Sequence, residues 1–167
     1  MKKTSLIVAA VLAVTTSAVL AATSPATATF QVLITVAKAC SVTAGSGSNI
    51  NFNTVDSSAT NLSASSNISV TCSKSTPYNI GLLPSNNSTT GAGAMGNTGT
   101  DTIPYQLRSV SATGAIWGST ATSTAVGNGV AGTGTGAAQS IPVWATVASV
   151  NVTPGSYSDT VTVQVNY

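Results

Sequence analysis

Within residues 26–37, every second position is apolar: Ala26, Ala28, Phe30, Val32, Ile34 and Val36 share one face of an extended chain, with Thr27, Thr29, Gln31, Leu33 and Thr35 between them. A period of two marks a strand buried on one side. Such a strand needs a sheet to lie on. The far end of the chain repeats the pattern, with Val161, Val163 and Val165 set between Thr160, Thr162, Gln164 and Asn166, and nothing follows Tyr167 that could cover its edge. An uncovered apolar edge invites pairing with another chain. The pattern therefore predicts that part of the first strand serves a neighbouring molecule.

Between these ends the alternation recurs in short runs. Cys40 and Val42 continue the first strand, and the glycine-rich turn at 45–49 leads to a short predicted strand around Ile50 and Phe52. Residues 56–66 read as a polar excursion. Ile68, Val70 and Cys72 share a face, as do Tyr78, Ile80 and Leu82 after a turn at Thr76 and Pro77. Residues 84–102 have little apolar content and read as an exposed, mobile connection. The pattern resumes over 103–110, where Pro104 points to an edge or a strand start. Ala115, Ile116 and Trp117 form a short apolar insertion, and the Gly/Ser/Thr tract at 118–139 reads as a poor core contributor. Ile141, Val143, Ala145 and Val147 then face one way and Trp144 the other. Trp117 and Trp144 are read as packing or subunit-interface residues, not as a sugar platform. A turn at Pro154 and Gly155 and the corner position of Tyr157 precede the last strand. Such a series of about seven or eight short strands, punctuated by turn residues, predicts an all-β, immunoglobulin-like sandwich.

Composition adds the compartment. Lys2 and Lys3 precede an apolar stretch from Leu6 to Leu20, ending in small residues at Ala21. That order is a signal peptide over residues 1–21 and implies export, since the apolar run is short of the roughly 20 residues that span a bilayer. One domain is expected in the remainder. The two leader lysines account for the formal net charge of +2, because Lys38, Lys74 and Arg108 balance Asp56, Asp101 and Asp159. No basic cluster supports nucleic-acid binding. A surface with so little charge is poorly protected against self-association.

Two cysteines in an exported chain predict a Cys40–Cys72 disulfide. Closing a loop of about 32 residues would stabilise the fold by roughly 3.7 kcal/mol in the loop-entropy picture. A metal site or a catalytic thiol would need partners, and the chain has neither His nor Glu. Hydrolytic chemistry would have to come from three Asp alone, with no His base for a Ser or Thr nucleophile. Neither catalytic, cofactor-binding nor metal-binding residues are therefore expected, and no cofactor.

With these residues laid out, the chain resembles the spore coat protein U domain family, which includes the major pilins of archaic chaperone-usher pili. The resemblance rests on the segment from Gly155 to Tyr167, on Ile68-Ser-Val-Thr-Cys72 with Cys40 upstream, on Tyr105-Gln-Leu107 followed by Trp117-Gly118, and on Ile141-Pro-Val-Trp144. It departs from the family pattern at Phe52-Asn53 and at Leu83-Pro-Ser-Asn-Asn87, which concern loops. The resemblance implies an incomplete immunoglobulin-like sandwich lacking its last strand. A periplasmic pilus chaperone would fill the gap, and an outer-membrane usher would replace it with the N-terminal strand of the next copy.

On this reading residues 22–36 are a donor-strand arm and residues 37–167 the pilin domain. Ala28, Phe30, Val32, Ile34 and Val36 would plug the acceptor groove, whose edge strand carries Val161, Val163, Val165 and Tyr167. The expected product is a homopolymeric pilus fibre at the cell surface, serving adhesion and biofilm formation. Two alternatives are a spore or cyst coat protein built by the same exchange, and a tip adhesin. A tip adhesin generally needs a second, receptor-binding domain.

Overall fold

The structure, a computed structural model, describes residues 24–167. The expected signal peptide and the first two residues of the arm lie outside the described residues. Val36–Tyr167 forms one compact unit, and the residues before it are described by themselves.

Eight strands make up this unit: β1 (Cys40–Thr43), β2 (Thr60–Cys72), β3 (Pro77–Pro84), β4 (Ala92–Gly96), β5 (Thr102–Ser109), β6 (Val130–Thr133), β7 (Ala138–Ser149) and β8 (Val161–Asn166). Only a 3₁₀ turn at Ser46–Ser48 interrupts this all-β character among the described residues. One sheet has five strands in the order β1-β2-β7-β5-β4, and the other has three in the order β6-β3-β8. The two form an immunoglobulin-like sandwich.

Alternation explains the core. The inward residues of β2, β7 and β5 (Ile68, Val70, Cys72; Val143, Ala145, Val147; Tyr105, Leu107) are buried together with Tyr78, Ile80 and Leu82 of β3. Cys40 and Cys72 stand directly opposite each other on β1 and β2 and form the expected disulfide. Trp117 is fully buried, and its Nε1 donates to the Ile80 carbonyl at 2.9 Å. The predicted Tyr157 corner is also present, its hydroxyl donating to the Thr153 carbonyl at 2.7 Å. Pro104 lies where β5 pairs with β4 alone, so its missing N–H breaks no bond to β7.

Four expectations need correction. Residues around Ile50 and Phe52 form no strand; the Asn51 side chain accepts from the Asn53 amide, and Asn53 adopts φ 60°, which turns the chain out of extended form. Within the supposed polar excursion, β2 already begins at Thr60, because Leu62, Ala64 and Ser66 alternate inward opposite β7. The connection at 84–102 contains β4, and the tract at 118–139 contains β6. Both are built on glycine for a steric reason: Gly93 stands opposite Tyr105 and Gly132 opposite Tyr78, and a Cβ at either would run into the partner's ring. Asn128 ties the second tract down, donating to the Thr89 carbonyl at 2.8 Å and accepting from the Thr120 amide at 3.0 Å. Small polar residues here make backbone hydrogen bonds instead of a core.

Candidate functional site

The site is a groove along one side of the sandwich. β8 pairs with β3 alone and β1 with β2 alone, so each is the last strand of its sheet, and both lie on this side. They come together where the first strand starts: Lys38 Nζ lies 5.8 Å from the centroid of the Tyr167 ring. After Thr43 the chain leaves the sheet, and the two layers separate around a cavity of about 500 Å³. Its floor is core side chains, Ile68, Leu107, Val143 and Ala145 from the larger sheet and Leu82 from the smaller. Val161 and Val163 of β8 form one wall, and Ile50 and Phe52 form the other. A second cavity of about 830 Å³ continues past Phe52, Met95 and Tyr157 toward Val147 and Val150.

Burial along the paired strands locates the defect in the core. Ile80 and Leu82 of β3 are 0% and 1% exposed. Their register partners Val165 and Val163 are only half-buried, as are Val161, Val42, Ile50 and Phe52. The uncovered residues all border the groove or the seam between β1 and β8. An added strand there would complete the burial of β8 and pair its free backbone edge.

Charge enters the first cavity at one place. Asp159, two residues before β8, is the only charged side chain in its lining. Its Oδ2 accepts from the Tyr105 hydroxyl at 2.6 Å and its Oδ1 from the Thr160 amide at 2.7 Å. Burial pushes the Tyr105 hydroxyl well above its ordinary value of 10.0, and the hydrogen bond to Asp159 and that residue's charge push it further. The phenol therefore stays a donor across the physiological range.

The arm is described separately. From Ala26 to Ala39 no residue is in a ladder. Phe30, Val32, Leu33, Ile34 and Val36 are all more than four-fifths exposed, with Phe30 at 88%. Ala28 is exposed too. Among the expected acceptor residues, Val161, Val163 and Val165 share the inward face of β8, and Tyr167 lies just beyond its end, 40% exposed. Ile50, Phe52 and the Tyr105–Asp159 pair are groove residues that alternation did not identify. An aliphatic and an aromatic residue isolated in a Ser/Asn-rich linker were the available signal for the first two.

A β-sandwich with an apolar groove beside its β8 edge, and an exposed, unpaired segment with alternating apolar residues, is the class of protein that fold and groove define. The chain belongs to the Spore Coat Protein U domain family, whose model matches residues 26–164. No curated protein matches it. Among solved structures, it is similar to the CsuC–CsuE chaperone–tip adhesion subunit pre-assembly complex from archaic chaperone-usher Csu pili of Acinetobacter baumannii, at 26% identity and a TM-score of 0.49. That likeness covers 80% of this chain and 40% of the other.

Proposed function

We propose that the protein is a structural subunit of a chaperone-usher surface fibre that polymerises by donor-strand exchange and serves adhesion and biofilm formation. One observation carries this reading: the same chain holds an unpaired arm with alternating apolar residues and a sandwich with a groove beside its unpaired β8 edge. Ala28, Phe30, Val32, Ile34 and Val36 of one copy enter the groove of the next and cover Val161, Val163 and Val165. Membership of the spore coat protein U family supports it. Before use, a periplasmic chaperone shields the edge, and an outer-membrane usher exchanges it for the arm.

Fully burying a large apolar side chain contributes about 1.5–3 kcal/mol, so three or four plugs supply roughly 5–12 kcal/mol before ordering costs. Ladder hydrogen bonds must break together with these contacts, which makes dissociation slow. Sheared surface material run unboiled on a denaturing gel is expected to show a ladder of SDS-resistant multimers that boiling collapses to one band. Phe30→Asp combined with Ile34→Asp is expected to abolish it. Monomer in both wild-type lanes would defeat the proposal. The family's description also names a spore coat; multimers extracted from a coat and absent from surface fibres would favour that use of the same exchange.

A further inference from the structure

If strand exchange is accepted, the groove also says which way the arm runs and where it stops. The two ends of β8 differ. Its C-terminal end adjoins the root of the chain's own arm, where Lys38 faces Tyr167 and Ala39 exchanges backbone and side-chain hydrogen bonds with Ser73. Its N-terminal end carries Asp159, whose two hydrogen-bond donors, Tyr105 and Thr160, are uncharged.

In an open head-to-tail polymer each copy relates to the next by the same operation. When the bodies follow one another in line, all β8 strands point the same way. An arm leaving at the Tyr167 end of its own body then runs antiparallel to the neighbour's β8, with its root at the neighbour's Asp159. The opposite orientation would bring two Tyr167 ends together and close the copies into reciprocal pairs.

Parity then sets the register. Phe30, Val32, Ile34, Val36 and Lys38 share one parity along the arm, and Val161, Val163 and Val165 share the inward face of β8, with Asp159 and Tyr167 continuing the same parity just before and after it. Both spans have equal length, about 27 Å. We propose that Lys38 of one copy pairs with Asp159 of the next, setting Val36 beside Val161, Ile34 beside Val163, Val32 beside Val165 and Phe30 beside Tyr167. A slip of two residues one way seats Val36 on the carboxylate, and the other way presses the Lys38 ammonium onto Val161; either buries a charge with no opposite charge beside it. A slip of one turns every plug outward. Within a single body the two charges lie at opposite ends of β8, so only a second copy brings them together.

Carbodiimide joins an ammonium to a carboxylate already in contact. Applied to sheared fibres assembled from mixed isotope-labelled chains, it is expected to give a Lys38–Asp159 cross-linked peptide between copies. Lys38→Asp and Asp159→Lys should each speed the loss of SDS-resistant multimers about tenfold, and the two together in one chain should restore slow loss. Asp159→Asn keeps an acceptor for Tyr105 and separates loss of charge from damage to the groove wall. Multimers with no such cross-link, and a double variant no slower to dissociate than the singles, would overturn this register while leaving strand exchange in place. A wild type without multimers removes both.

Discussion

Tyr105 illustrates how much one side chain can tie together. Its ring covers Gly93 across the β4–β5 ladder, and its hydroxyl bonds Asp159 at the groove mouth. Folding raises its pKa above the unfolded value of 10.0, so the associated stability is present below that pH and is lost as pH rises above it. Tyr78, raised by burial as well, adds to the same alkaline loss. Urea unfolding followed from pH 8 to about 11.5 should therefore show a falling midpoint. Tyr105→Phe should flatten that fall without abolishing it, and at neutral pH it should cost about 1–3 kcal/mol through the lost bond to a charged acceptor. An unchanged slope would show that the phenol does not ionise on unfolding.

At the scale of elements, β1 is the weak member of its sheet. It has four residues, sits at an edge and pairs with β2 alone. A covalent tie compensates, since Cys40 and Cys72 are register partners joined by the disulfide, and Ser73 holds Ala39 beside it. The same tie anchors the arm at its root. Replacing both cysteines by serine is expected to lower stability by roughly 2–5 kcal/mol, measured by urea unfolding, and to increase amide exchange in β1 ahead of the rest of the sheet. Uniform exchange across β1 and β2 would mean that the ladder alone secures the edge.

For the whole molecule, the proposed exchange has a consequence for stability. Half-buried valines on β8 face a cavity of about 500 Å³ that the unit from Val36 to Tyr167 leaves unfilled. Binding to the folded state raises its apparent stability by mass action. A full-length chain disabled by Phe30→Asp and Ile34→Asp, mixed with excess peptide of residues 22–38, should melt roughly 5 °C or more above the same chain alone. A peptide carrying the two substitutions should have no effect. Equal shifts from both peptides would mean that the plugs are not what the groove selects.

Alternation by itself determined the strand faces of β3, β7, β8 and the C-terminal half of β2, and the all-β class, while the two cysteines of an exported chain gave the disulfide. These depend on which way neighbouring side chains point, a local property that a period of two records directly. It also marked residues 26–36 as half-apolar, and in the structure these residues are exposed and in no ladder. What it could not register were strands made of small residues. β4 and β6 exist because Gly93 and Gly132 let tyrosine rings from the facing strands lie over them, and β2 starts at Thr60 because β7 is there to pair with it. The meeting of Tyr105 with Asp159, 54 residues apart, and the placing of Ile50 and Phe52 along the groove likewise required the tertiary structure. Contacts between distant segments are set by how the sheets stack, and no short window of residues contains that information.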